Sequence, residues 1–264
     1  MSAQGKRLFT CCRATLRIIG RLTAMAGLLA ACVALFYLWK LFPARNPWPR
    51  RFLAGIAGIA GVRIRTTGTL APGRRLILAN HVSWIDVPAL AATAGSAFVA
   101  HDGLAGVPLL RWLCAMNDTV FIARHDRASI GGQIDALRAA LADKHTITVF
   151  PEGTTSDGRA LLPFKSALLA ALDPMAGGIA VQPVWLDYGA QTSAIAWVAQ
   201  EPGMANFKRI LARARPVDLT IHFLEPLAEQ ALADRKSMAT AASQAITEAM
   251  TCFRTPLQNL PRLS

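Results

Sequence analysis

The sequence predicts an α/β fold: a mixed, largely parallel sheet covered by helices, preceded by an N-terminal membrane-associated helical segment. Three observations predict it. Runs such as "RRLILAN" (74–80) and "HTITVF" (145–150) are short and largely apolar, as suits strands buried on both faces. Between such runs lie helical segments, and Ile130, Ile134, Leu137 and Leu141 repeat at helical spacing over 129–143. Near the N-terminus, Leu22 to Trp39 gives 18 residues without a charge, close to the lower limit for crossing a bilayer.

The elements follow in order. Arg13, Arg17 and Arg21 recur every fourth residue, with Leu16, Ile18 and Ile19 between them. This predicts a basic amphipathic helix on an anionic lipid surface, leading into the apolar run. Residues 47–61 read as a short helix. "VRIRTTG" and "RRLILAN" read as strands, followed by a helix from Ser83, the strand "SAFVAHDG", a helix over Pro108–Ala115 and the strand "DTVFIAR". After the 129–143 helix, "HTITVF" feeds the loop "PEGTTSDGRALLP", and a helix begins near Phe164. "GIAVQPVWLDY", "SAIAWV" and "VDLTIHFL" are expected strands, and a helix closes the chain at 230–253. The expected division is membrane-associated helices over 1–60 and a catalytic domain over 61–264.

Charge placement argues against a nucleic-acid partner. The net charge is +12, yet 13 Lys and Arg precede Asp86, the first acidic residue. The remaining 15 basic residues face 16 acidic ones, leaving about −1 after residue 86. The basic excess therefore belongs to the N-terminal third, where an anionic membrane surface is the expected partner. Trp39 and Tyr37 suit an interfacial belt. Basic residues flank the apolar run on both sides, so charge bias leaves open whether it spans the bilayer or enters one leaflet. A secretory signal fits less well, because the apolar run continues past Cys32. The five cysteines show no metal spacing and no disulfide framework. The histidines lack a His-x-x-x-His pattern, so no metal site is expected.

Three stretches carry candidate chemistry. In "LANHVSWIDVPAL" (78–90), His81 and Asp86 lie five residues apart. On one helix their side chains would diverge by about 140°. A helix opening at Ser83, with Ser83-x-x-Asp86 as a capping box, instead leaves His81 in the preceding turn and Asp86 in the first helical turn. The carboxylate can then accept from one ring nitrogen and leave the other as a base. Asp86 as a cap alone, with His81 an ordinary strand-end residue, is the competing reading. In "FPEGTTSDGRALLPFK" (150–165), the residues Glu152, Gly153, Thr154 and Thr155 leave a strand end and Lys165 follows. Backbone N–H and hydroxyl groups there suit an oxygen-rich ligand, and the Walker lysine spacing is absent. "FIARHDR" (121–127) places Arg124 at a strand end.

Taken together, Asn-His-x-x-x-x-Asp (80–86), Phe-Ile-x-Arg (121–124), Phe-Pro-Glu-Gly-Thr (150–154) and the proline-bearing strand "VQPVW" (181–185) resemble the glycerolipid acyltransferase family, over about residues 60–225. The resemblance implies an O-acyltransferase that takes a fatty acyl group from acyl-CoA or acyl carrier protein to the hydroxyl of a lysolipid, without a cofactor. It implies His81 as general base, Asp86 as its support, Arg124 as a contact to the acceptor's phosphate, and Glu152 and Gly153 as part of the acceptor-binding loop. No acyl-enzyme is required, and no Gly-x-Ser-x-Gly elbow occurs. It further implies a place on the cell inner membrane, with the catalytic domain on the cytoplasmic side. The expected acceptor is 1-acyl-glycerol-3-phosphate. One departure bears on this. Thr155 stands where such members carry arginine, which removes a charge-assisted phosphate contact that Lys165 or Arg159 would have to replace. The same loop resembles members that acylate lyso-ornithine lipid, the alternative acceptor. A lipid hydrolase using the same His–Asp pair is the other alternative.

Overall fold

The computed structural model describes residues 3–101, 106, 108–117, 119–122, 146–172, 178–198 and 200–254. Arg124 and the expected helix over 129–143 lie outside the described residues. Seven strands form one sheet: β1 (Val62–Thr67), β2 (Arg74–Ala79), β3 (Ala97–His101), β4 (Val120–Ile122), β5 (Thr146–Val149), β6 (Ile179–Asp187) and β7 (Val217–Phe223). Their spatial order is β1-β7-β6-β2-β5-β3-β4. Only the β6–β7 pairing is antiparallel, and the other five pairings are parallel. The sheet is therefore mixed and largely parallel, as the sequence predicts.

Both faces of the central strand are covered, which is why β2 reads as a continuous apolar run. Successive side chains alternate between faces. Ile77 and Ala79 join the cluster that holds Ala89 and Leu90 of α3 (Asp86–Ala94). Leu76 and Leu78 join Met238, Ala239 and Ala242 of the last helix, α6 (Arg235–Arg254); the intervening α4 (Pro108–Met116) and α5 (Gly203–Ala212) are shorter.

Two helices precede the sheet, α1 (Ala3–Trp39) and α2 (Trp48–Ala60). Within α1, Cys12–Trp39 is long and apolar enough to cross a membrane, with a mean hydropathy of 2.0. Leu16, Ile19, Leu22, Tyr37 and Leu38 are exposed on it. Its arginines do not all face outward as an amphipathic lipid-binding stripe. Arg17 donates to the carbonyl of Ala212 at 3.0 Å, and Arg21 to those of Leu211 at 2.9 Å and Ile210 at 3.3 Å. These carbonyls lie at the C-terminus of α5, where cations are favoured. The two guanidiniums fasten α1 to the sheet-bearing part of the chain.

One expected strand is absent. "SAIAWV" (193–198) instead begins inside a single helical turn, Thr192–Ile195, and continues as an extended segment. Ile195 and Ala196 are buried against the main core, and the Trp197 N–H donates to the Val82 carbonyl at 2.8 Å rather than to a strand ladder. Its apolar pattern reflects packing over the His81 turn, not a place in the sheet.

Candidate active site

The parallel pairing of β2 with β5 and β6 brings three strand ends to one edge. Leu78 is opposite Val149, and Ala79 is opposite Val184. The residues that follow, at 80–86, 150–156 and 188, therefore converge beyond the carboxyl ends of the strands. Such edges are where open α/β sheets bind ligands. Asn80 pins the β2–β6 junction: its side-chain carbonyl accepts from the Leu186 N–H at 2.7 Å, and its amide donates to the Leu186 carbonyl at 3.2 Å.

His81 and Asp86 meet in this turn. The His81 Nδ1 lies 2.8 Å from Asp86 Oδ2. The same oxygen accepts the backbone N–H of Val82 at 2.7 Å and of Ser83 at 2.9 Å. The two sequence readings of Asp86 are thus both realised by one atom. The carboxylate half of the capping box forms, whereas the Ser83 hydroxyl is buried and bonds nothing among the described residues. Consequently the helix begins at Asp86, not at Ser83. Because Oδ2 is an acceptor, Nδ1 carries the proton and Nε2 presents its lone pair. The Asp86 side chain is fully buried and that of His81 is 19% exposed. Phe150 stacks on the imidazole at 4.1 Å between centroids, limiting its tilt.

The loop after β5 supports this turn. The Glu152 carboxylate is fully buried. It accepts the His81 N–H at 2.7 Å on one oxygen and the Leu162 N–H at 2.9 Å on the other. Burial pushes its pKa up, and these bonds oppose the rise. Each oxygen of the carboxylate thus accepts a backbone N–H, and the group holds His81 in place. Ser156 completes the grip, with its N–H donating to the His81 carbonyl at 2.8 Å and its hydroxyl to the same oxygen at 3.1 Å. Gly153 has φ +69°, which favours glycine, and Lys165 Nζ lies 3.2 Å from where a Cβ would project there. So Lys165 does reach the loop. Thr154 is exposed. Thr155 is turned aside, its hydroxyl donating to the Trp197 carbonyl at 2.5 Å.

Sequence reasoning did not single out Phe150 as the ring's stacking partner, Ser156 as a clamp, or Tyr188. Tyr188 follows the last residue of β6, is 2% exposed, and its hydroxyl donates to Asp86 Oδ1. The sequence offered only a tyrosine at the end of a strand, with no sign that the strand adjoins β2. Beside the site, an apolar cavity of about 170 Å³ is lined by residues including Cys32, Phe52, Leu53, Val87, Phe98 and Cys114. Two of its lining residues neighbour the dyad's surroundings: Val87 follows Asp86 in the chain, and Phe98 stacks on Phe150. Among the described residues no cluster of three or more metal-ligating side chains occurs.

Comparisons with known proteins bear on the family and the fold. The Acyltransferase family model matches residues 61–187. A lyso-ornithine lipid O-acyltransferase of Brucella abortus is 32% identical, over 85% of this chain and 90% of its own length. One from Pseudomonas aeruginosa is 30% identical, over 82% and 83%. A 1-acyl-sn-glycerol-3-phosphate acyltransferase of Neisseria gonorrhoeae is 39% identical over a shorter stretch, 42% and 44%. In fold, the chain is similar to the crystal structure of the 1-acyl-sn-glycerophosphate acyltransferase of Thermotoga maritima, with a TM-score of 0.63 at 20% identity, over 90% of this chain and 98% of that one. With relatives at this identity along most of its length, the chain belongs to the acyltransferase family that includes the lyso-ornithine lipid and 1-acyl-sn-glycerol-3-phosphate acyltransferases.

Proposed function

We propose that the protein transfers a fatty acyl group from an acyl thioester, acyl-CoA or acyl carrier protein, to the free hydroxyl of lyso-ornithine lipid. The observation that carries the transfer chemistry is the His81–Asp86 pair at the carboxyl edge of the sheet, with Nε2 left as the base. His81 takes the hydroxyl proton as the oxygen attacks the thioester carbonyl. The new C–O bond forms, the C–S bond breaks, and the imidazolium returns the proton to the departing thiolate. Asp86 supports the transient positive charge. No side chain is acylated and no cofactor takes part. The apolar cavity beside Val87 and Phe98 suits the apolar tail of a lipid substrate.

Two observations favour the ornithine head group. Four relatives at 29–33% identity, matching over 65–87% of the chain, carry that name. In addition, the loop position that would carry an arginine holds Thr155, whose hydroxyl is already bonded to Trp197. A second reading, 1-acyl-glycerol-3-phosphate as acceptor, draws on Lys165 beside Gly153, a cation suited to phosphate. In that reading Arg124 shares the charge. The exposed apolar residues of α1 fit a lipid surface. They support association with a membrane; a place on the inner membrane, with the catalytic domain on its cytoplasmic side where acyl-CoA or acyl carrier protein is met, is part of this proposal.

Acceptor titrations test the choice. With lyso-ornithine lipid and lysophosphatidic acid offered separately, wild type should turn over the first. Thr155→Arg should depress that activity by setting a cation against the ornithine ammonium. Turnover of lysophosphatidic acid alone, improved by Thr155→Arg, would select the second reading.

A further inference from the structure

The Asp86 carboxylate divides its work unequally. Oδ2 serves His81, Val82 and Ser83, and Oδ1 is met by the Tyr188 hydroxyl. The strand geometry makes this contact. Asn80 clamps Leu186 beside β2, and two residues later Tyr188 leaves β6 over the first turn of α3. The phenol is buried in the same cluster as Ile85 and Ala89.

We infer that Tyr188 is a positioning residue for catalysis: by donating to Oδ1 it fixes the rotation of the Asp86 carboxylate, and through Oδ2 the direction in which His81 presents Nε2. This rests on the dyad being the proton-transfer machinery proposed above. A carboxylate turns readily about its last side-chain bond. The two backbone N–H groups on Oδ2 locate that oxygen but leave the plane of the group free to pivot about it. Tyr188 supplies the second fixed point. Burial and the adjacent carboxylate raise the phenol pKa well above its ordinary value, so the hydroxyl stays a donor throughout the working pH range. Without it, Oδ1 would be a bare acceptor in an apolar core, and the carboxylate would turn towards other donors at the expense of His81.

The test is a double-mutant cycle on the full-length enzyme in detergent micelles, with Tyr188→Phe, Asp86→Asn and the pair, against a thioester donor and lyso-ornithine lipid. Phenylalanine keeps the ring and its packing. Tyr188→Phe should lower kcat about tenfold, within the coupling range of contacting residues, while acceptor KM stays within about twofold. In the Asp86→Asn background the same change should cost less than about twofold, because no carboxylate charge remains for Tyr188 to hold towards the imidazolium. Thermal unfolding read alongside separates a purely structural role. If Tyr188→Phe lowers Tm but leaves kcat intact, or if its effect on kcat is the same in both backgrounds, the inference is overturned. If Asp86→Asn alone retains full activity, the proposed mechanism fails instead, so the two failures are distinguishable.

Discussion

Asp86→Asn removes a charge while leaving a shape. Asparagine has one acceptor oxygen, and placed at the Oδ2 position it still meets His81 Nδ1 and the N–H groups of Val82 and Ser83. Its amide then faces Tyr188, whose hydroxyl can turn round and accept. The turn and the start of α3 should survive. What is lost is the attraction between an imidazolium and a carboxylate in hydrogen-bond contact at 2.8 Å. With charge centres about 4 Å apart and an effective dielectric near 20, that attraction is about 4 kcal/mol. At about 1.4 kcal/mol per power of ten, kcat should fall roughly a thousandfold, inside the range seen for general-base catalysis. Weaker hydrogen bonds to a neutral acceptor should cost about 1 kcal/mol, a Tm loss of roughly 2–4 °C. The assay follows labelled acyl groups from acyl-CoA to the lysolipid in micelles, with circular dichroism melts on the same samples. A kcat within tenfold of wild type, with a large drop in Tm, would refute the reasoning and leave Asp86 as a helix cap alone.

Two further outcomes follow from the same contacts. Glu152→Gln leaves one backbone N–H, of His81 or Leu162, facing an amide donor. It should cost about 1–3 kcal/mol of stability and lower kcat as the His81 backbone shifts; a raised acceptor KM with unchanged Tm would instead mean that the carboxylate touches the acceptor. His222 is buried, stacks on Trp185 and pairs with Thr67 at 2.7 Å, and burial lowers its pKa against the opposing pull of Asp187. A lowered folded pKa means that the unfolded chain binds the proton first. Stability is then full above the ordinary histidine value near 6.5 and is lost as pH falls towards the lower folded value. His222→Gln should therefore show a smaller drop in Tm between pH 7.5 and 5.5 than wild type, and an equal drop would count against the assignment.

Much of this was legible because local chemistry and global fold agree. β2 is apolar on both faces and was readable as a buried strand, and the His81–Asp86 pair was readable once a helix start was placed between them. The missing pieces are non-local. Tyr188 reaches Asp86 only because β6 lies beside β2, an adjacency that no sequence window contains. Arg17 and Arg21 have the spacing of a lipid-facing stripe, yet tertiary packing gives them the carbonyls of α5 instead. Ile195 and Ala196 have strand-like character, but their segment is held by Val82 and by Asn206, which donates to both of their carbonyls. Glu152 illustrates the converse: its motif marks it as part of the site, while only the structure shows its carboxylate bonded to the His81 and Leu162 backbone.

The central claim is that His81 activates a lysolipid hydroxyl for direct acyl transfer. The most direct measurement is the initial rate of wild type and His81→Ala with labelled acyl thioester and lyso-ornithine lipid, scoring acylated lipid and free fatty acid separately. His81 lies in a turn at the sheet edge, so the variant should remain folded. The account predicts acylated lipid as the product of wild type and a fall of about 10²–10⁴-fold in His81→Ala. Acylated lipid at near-normal rate from folded His81→Ala, or free fatty acid as the main product of wild type, would contradict it.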